Sequence, residues 1–224
     1  MPESAKHSTK QSTLVPTARS PLASTGPSTV IDGWEYASGV GSGPVVVSDR
    51  SALAKVLIRT KSTPSIIAAL GTRFGRAAWK DRRLVVGSGP DEWLVLGPPG
   101  STQEITDEVN DTVAAEVSDR ITMIDLTHGR ALMRISGPET MSLLSRVTAV
   151  DLDDRLVPNG SALRTSAARV VTDLVRDDQG GSISYLLHCE RSSGLYLQQS
   201  LLAAGADLGV AQGASSPAWP DHEP

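Results

Sequence analysis

Aromatic side chains are scarce: Phe, Trp and Tyr make up 4% of the 224 residues, with one Phe, four Trp and three Tyr. A surface that holds single-stranded nucleic acid by stacking needs more of them. A basic excess is also missing, because 21 Lys and Arg face 25 Asp and Glu, a formal net charge of -4. With a pI near 5.6 the chain has no electrostatic footprint for a phosphate backbone, which argues against a nucleic-acid partner. Cys189 is the one cysteine. An internal disulfide and a cysteine-based metal cluster are thereby excluded, and the expected setting is a reducing cytoplasm. Of the four histidines, His7 and His222 lie in terminal segments, so His128 and His188 alone give no metal-ligand spacing. No apolar run approaches a membrane span, and the first thirty residues lack the apolar stretch of a secretory signal.

What is present is enough hydrophobic composition, 39%, for a real core of one large or two small domains. Residues 1–29 are rich in Ser, Thr, Pro and Lys and read as a disordered tail, with Ser20 to Ala23 as an exception that docks on a partner. Residues 213–224 read as a loose C-terminal tail in which Trp219 is either idle or a contact. Between the tails a pattern repeats. Leu53 to Thr60 is strand-like; Thr63 caps a short helix with Pro64 at its first position and Gly71 after its end. Strands over Arg82 to Gly87 and Glu92 to Leu96 flank a Ser-Gly-Pro-Asp turn. Ser101 and Glu104 carry a capping-box signature, and Ile105, Val109, Val113 and Val117 recur along one helical face. Ile121 to Leu126 closes the unit, giving the order β-α-β-β-α-β.

The second half repeats that order. Arg130 to Ser136 is a strand, and Pro138 starts a helix with Met141, Leu143, Leu144, Val147 and Thr148 in a broad apolar stripe. Strand-like residues within Leu163 to Arg176 pair with Ile183 to Cys189 through Asp-Asp-Gln-Gly-Gly. Ser192 or Ser193 caps a helix that runs to Ala204 and stops at Gly205. The expected fold is α+β with two ferredoxin-like (βαββαβ) lobes, 30–126 and 127–212, whose strand partners could be exchanged between lobes.

Candidate chemistry is thin. His188 beside Cys189 invites a nucleophile and base, but neighbours on a strand point to opposite faces, which makes Cys189 a buried small hydrophobe and His188 a surface residue. His128 lies in Thr127-His128-Gly129-Arg130, where a bulge at Gly129 would re-aim it; the structural reading, a ring that hydrogen-bonds across the bend, is preferred. The glycine clusters Gly39 to Pro44 and Gly87 to Pro90 lack dinucleotide-binding spacing and read as turns. Arg73, Arg76, Lys80, Arg82 and Arg83 form a basic group able to meet an acidic partner or simply to be solvated. Trp79 and Trp93 are candidate interface anchors or core residues.

The run DLTHGRALMRISGPETMSLLSRVTAVDL, Asp125 to Leu152, resembles the glycine-cleavage T-protein superfamily in the order of its Asp-Leu-Thr-His strand, Gly-Pro helix start and acid-flanked exit. GSGPDEWLVLGP, RSPLA, SALRTSAARVV and ERSSGLYLQQSLLAAGADLGV narrow the resemblance to the gamma-subunit family of heterotetrameric sarcosine oxidases, matching from about Arg19 to Val210. The resemblance implies a noncatalytic structural subunit of a complex that oxidatively demethylates sarcosine to glycine, with hydrogen peroxide and formaldehyde or methylene-tetrahydrofolate as products. It implies alpha, beta and delta partner subunits, chiefly the large alpha subunit. It places FAD, FMN, NAD, zinc and tetrahydrofolate in those other subunits and none in this chain. The T-protein likeness also sets Ala168 to Val175 on a strand whose second Asp faces folate, and Asp173 matches that position; Thr172 replaces the first Asp and Thr165 to Arg169 replace the Asn-x-x-Gly-Gly lead-in. The alternatives are therefore a stand-alone folate-binding or aminomethyltransferase-like protein using Asp173, or the same subunit in a complex acting on another N-methylated amine.

Overall fold

Short apolar runs punctuated by two-residue turns give this chain a strand-rich architecture, seen in the computed structural model, which describes residues 16–23, 26–113, 121–215 and 219. In chain order the strands and helices are β1 (Ala18–Arg19), β2 (Ser28–Ile31), β3 (Trp34–Ala37), β4 (Val45–Asp49), β5 (Ala54–Arg59), α1 (Pro64–Leu70), β6 (Ala77–Lys80), β7 (Arg83–Gly89), β8 (Glu92–Gly97), α2 (Thr102–Val113), β9 (Thr122–Asp125), β10 (Arg130–Ser136), α3 (Thr140–Ser145), β11 (Ala162–Ala167), β12 (Val170–Arg176), β13 (Ser184–Glu190), α4 (Gly194–Ala204) and β14 (Val210–Gln212). They assemble into three sheets, ordered β1-β3-β2, β6-β7-β8-β5-β9 and β11-β12-β13-β10-β4-β14.

The five-stranded sheet is antiparallel throughout, and β5-α1-β7-β8-α2-β9 follows the split order read from the sequence, with β6 added at one edge. The six-stranded sheet departs from a simple repeat. β4, which precedes β5 in the chain, crosses over to pair antiparallel with β10 and parallel with β14, so a segment expected in the first lobe belongs to the second sheet. β11 is a further addition at the opposite edge.

Strand alternation shows how the sheets pack. Trp93 and Val95 of β8 face a core with Ile66, Leu70, Ile105 and Val109 of α1 and α2. Leu94 and Leu96, on the other face, join Leu132, Val175 and Leu186 of the six-stranded sheet. Met133, Ile135, Tyr185 and Leu187 face away from that layer, against Leu143, Leu144, Leu197 and Leu201 of α3 and α4. The order is helices, sheet, sheet, helices. β5, β7, β8 and β13 are therefore buried on both faces along most of their length.

Local chemistry explains most boundaries. Thr63 accepts from the Ile66 amide at 3.3 Å, and Gly71 ends α1 in the left-handed region at φ 78°, as read from the sequence. The Ser101–Glu104 capping box does not form. Ser101 Oγ donates to the Pro98 carbonyl at 2.8 Å, and Glu104 pairs instead with Arg83 at 2.7 Å, because the buried Arg83 guanidinium is the stronger attraction. Val117 lies outside the described residues. Three hairpins turn on Asp32-Gly33, Asp81-Arg82 and Ala168-Arg169, each with both central φ values positive. The last of these splits the Leu163 to Arg176 stretch into β11 and β12.

The N-terminal strap is the main correction. Residues 16–23, expected to be loose or docked on a partner, lie on the chain itself: β1 pairs parallel with β3, Ser20 Oγ bonds Asp49, and Leu22 is 2% exposed in the core beside α4. The physical reason is that Leu22 has an apolar slot to fill and Asp49 needs a donor. At the other end, Trp219 rests on Trp79 with ring centroids 5.0 Å apart and donates to the Arg82 carbonyl at 2.8 Å. Leu22→Ala is expected to lower unfolding free energy by roughly 2–4 kcal/mol in urea titration, whereas exposed Val40→Ala is expected to change it by less than about 0.5 kcal/mol.

Candidate functional site

The inward faces of the two sheets are apolar at one end and charged at the other. β5 contributes Lys55, Leu57 and Arg59; β8 contributes Glu92 and Leu94; β11, β12 and β13 bring Arg164, Asp173 and His188. Most of these residues border a cleft of about 240 Å³, together with Ser88, Leu126, Arg130, Val171 and Glu190. Asp173, singled out in the sequence, is therefore a lining residue. Its register across β11–β12–β13 explains why: Asp173 sits between Arg164 on one neighbouring strand and His188 on the other.

Asp173 is fully engaged by that register. Arg164 Nε donates to Oδ1 at 2.7 Å and a terminal nitrogen to Oδ2 at 3.4 Å, while His188 Nδ1 lies 3.3 Å from Oδ2. Burial opposes ionisation of Asp173, yet the donors from His188 and Arg164 outweigh it and hold the carboxyl below its ordinary range. Burial likewise lowers the His188 pKa, against the pull of Asp173. Burial thus favours the neutral ring, whose Nδ1–H can donate to the Asp173 carboxylate. Nε2 is buried and has no hydrogen-bond partner among the described residues.

Arg164 continues the network across the gap between sheets. It donates to Glu92 at 3.0 Å, and Glu92 also takes Arg59 at 2.8 Å and Ser88 at 3.0 Å. Burial acts to raise the Glu92 pKa, and the Arg59, Arg164 and Ser88 donors overcome it. Arg130 pairs with Glu190 at 2.9 Å. Three guanidiniums thus meet three carboxylates, each already paired within the chain. Lys55, fully buried on the same face of β5, donates to the carbonyls of Ser51 at 2.7 Å and Leu53 at 2.8 Å. Burial pushes its pKa down to about 7, with Asp49 and Asp125 opposing.

Other sequence candidates fall elsewhere. Cys189 points to the opposite face from His188 and lies in the core with α4, where burial raises its pKa to about 11; it is not a nucleophile paired with His188. His188, expected at the surface, is 4% exposed, because the second sheet face that would be solvated in an isolated lobe is covered by the first sheet. His128 stacks on Trp34 at 4.8 Å, where a hydrogen bond across the bend was expected. Trp93 is a core residue that donates to the Thr72 carbonyl at 2.9 Å, and Trp79 donates to Asp177 at 2.9 Å. The basic group disperses: Arg83 is buried against Glu104 and Glu108, Lys80 bonds the Ala69 carbonyl, and Arg73 and Arg76 stay exposed. Arg164 and Glu92 were not singled out from the sequence. A charged residue directly opposite Asp173 across a hairpin is the signal that finds Arg164, but it requires placing the Ala168-Arg169 turn.

No group of three or more His, Cys, Asp and Glu able to hold a metal occurs among the described residues. Among them no helix is long and apolar enough to cross a membrane. The cleft lies below the roughly 300–1,000 Å³ usual for sites that enclose a sizeable organic ligand. A pterin seeking Asp173 would also have to displace Arg164, so the residues do not fit tetrahydrofolate as they stand.

Comparison with known proteins identifies two related groups. No protein-family model matches. Sarcosine oxidase subunit gamma from an Arthrobacter species is 27% identical over 143 residues, 60% of this chain and 68% of that protein. The aminomethyltransferase of Halothermothrix orenii is 25% identical over 130 residues, 58% of this chain. The chain spans about a third of that relative, 35% of its length. In structure it overlays heterotetrameric sarcosine oxidase from Corynebacterium sp. U-96 with a TM-score of 0.62 at 19% identity, covering 76% of this chain and 88% of the matched one. Aminomethyltransferase T from Bartonella henselae gives 0.60 at 13% identity, with 84% and 55% covered. The fold is thus of the mixed α+β, T-protein-like type, and the chain resembles the gamma subunit.

Two pH effects follow from the network. Asp173 has a lowered folded pKa, so its contribution is present above the unfolded carboxylate value near 4 and is lost as pH falls through the folded value. Asp173→Asn is expected to cost about 1–3 kcal/mol at pH 7, with the gap to the unsubstituted protein narrowing below about pH 4 in denaturant titrations. Lys55 adds a slope of the same sign at higher pH, because a burial penalty on its charged form is relieved. The unfolded lysine binds a proton that the folded one gives up between about pH 7 and the ordinary value of 10.5. Stability should therefore rise with pH across that window, and Lys55→Met should flatten the slope.

Proposed function

We propose that this chain is a noncatalytic structural subunit of a heterotetrameric sarcosine oxidase, a complex that oxidatively demethylates sarcosine to glycine with hydrogen peroxide and formaldehyde or methylene-tetrahydrofolate. The observation that carries the proposal is the likeness to subunit gamma over 68% of that protein. The paired state of the cleft's carboxylates supports it: Asp173, Glu92 and Glu190 are each committed to arginines of the same chain. On this reading the alpha, beta and delta subunits are the partners, the large alpha subunit chief among them. FAD, FMN, NAD, zinc and tetrahydrofolate reside in those chains, and the complex is cytoplasmic. The finer architecture belongs to the same proposal: two ferredoxin-like lobes over 30–126 and 127–212, the second enlarged by β4 and β11, with the strap at 16–23 packed on the chain ahead of the first.

A second reading rests on where Asp173 sits. It lines a cleft between the sheets, so a stand-alone folate-binding or aminomethyltransferase-like protein would use it as the folate-facing acid. That role requires Arg164 to swing away. Action of the same complex on another N-methylated amine is compatible with the first reading, since the substrate site is then in another subunit.

Gentle purification of the tagged chain from its native host is expected to yield a yellow assembly of four different polypeptides with sarcosine-dependent peroxide production. A colourless, solitary chain would contradict the subunit role. Isothermal titration of the isolated chain with tetrahydrofolate is expected to show no saturable binding; saturable binding abolished by Asp173→Asn would establish the second reading.

A further inference from the structure

The chain's single phenylalanine, Phe74, is 55% exposed, although the core on either side of β7 is apolar. It belongs to the turn Arg73-Phe74-Gly75-Arg76 between α1 and β6, and that turn is fastened at both ends. The Gly75 amide donates to the Gly87 carbonyl at 3.0 Å, and the Gly87 amide to Arg76 at 2.8 Å. Within the turn the Arg76 amide donates to Arg73 at 3.1 Å. The second sheet holds it as well: Ala77 donates to the Gly160 carbonyl at 2.7 Å and Ala162 to Gly75 at 3.0 Å. Buried Trp93 donates to the Thr72 carbonyl just before the turn, at 2.9 Å.

Two glycines make this placement possible. Gly75 takes a φ of +81°, which L side chains seldom adopt. A side chain at Gly87 would collide with the Arg73 carbonyl, so the turn lies directly on β7 only because Gly87 has none. Phe74 cannot rotate inward without breaking these bonds. It is presented outward on a rigid support.

Its flanks carry one sign of charge. Arg73 and Arg76 are exposed. Arg76 reaches only Ser161, at 3.4 Å, and neither guanidinium pairs with an acid among the described residues. In a chain of net charge -4, this is a local basic spot around an aromatic. Aromatic and Arg side chains are the types enriched at protein interfaces. One Phe and two Arg are too few for a nucleic-acid strand or a membrane surface.

We propose that the Arg73-Phe74-Gly75-Arg76 turn is a preformed docking prong whose partner is a protein surface with an apolar pocket for Phe74, rimmed by carboxylates for Arg73 and Arg76. The partner's chemistry stands on the turn itself; its identity as another oxidase subunit rests on the function proposed above.

The test uses the full chain in its native host, with a photo-reactive benzoylphenylalanine at position 74 and, separately, Phe74→Asp and the Arg73→Glu/Arg76→Glu pair. The expected adduct maps by mass spectrometry to one apolar site bordered by Asp or Glu on one partner polypeptide. Phe74→Asp is expected to weaken that association about 30-fold or more, while the isolated variant keeps the thermal midpoint of the unsubstituted chain. The charge-reversed pair is expected to lose affinity most at low salt. An intact four-chain complex with Phe74→Asp overturns the prong and leaves the subunit role standing. An adduct at such a site on a protein outside any amine-oxidising complex upholds the prong and overturns the subunit role. Adducts only to this chain's own C-terminal residues, or none to protein, overturn the prong.

Discussion

Face-to-face packing of two sheets is the constraint on which the rest depends. With α1 and α2 covering the outer face of one sheet and α3 and α4 that of the other, the inner faces pack on each other and bury an apolar cluster between them. Strands that serve two cores cannot carry unpaired charge on either face. At one end the layer is solved with Leu84, Leu94, Leu96, Leu132 and Leu186. At the other it is solved by neutralisation, with Arg164 joining Asp173 of its own sheet to Glu92 of the opposite one. The lowered pKa values of both acids are the electrostatic expression of that pairing.

The same pairing shapes the functional conclusion. A cleft with acids and a histidine looks like a place for chemistry, and sequence likeness to an aminomethyltransferase strengthens the impression. Catalysis needs a group free to gain or lose a proton or to meet a ligand. Here Asp173 is held by two donors, Arg164 and His188. Arg164 makes this cleft a cross-link between the two sheets. The gamma-like likeness and the paired carboxylates of the cleft both support the structural role proposed above.

Much of the five-stranded sheet and its helices was legible because its signals are local. Thr63, Pro64 and Gly71 bracket α1, and the apolar residues of α2 repeat every four positions. The six-stranded sheet was less so. β4 joins a sheet whose other strands begin some eighty residues later, and nothing in Val45–Asp49 records which sheet it enters. The Ala168-Arg169 turn lacks Asn and Gly, so a hairpin was read as one stretch and Arg164 was not seen opposite Asp173. The short strap at 18–22 has too little hydrophobicity to predict order, and it is ordered by Leu22 and Ser20 finding partners distant in sequence. Asp173 was legible by family resemblance, and its neighbours were not.

A double-mutant cycle between Arg164 and Asp173, read as unfolding free energy with Arg164→Met and Asp173→Asn singly and together, addresses the claim that the cleft is an internal cross-link. The account predicts a coupling of about 0.5–3 kcal/mol between the two sites. Additive effects, with no coupling beyond about 0.3–0.5 kcal/mol, would show that Asp173 is not committed to Arg164 and would contradict the scaffold reading of the cleft.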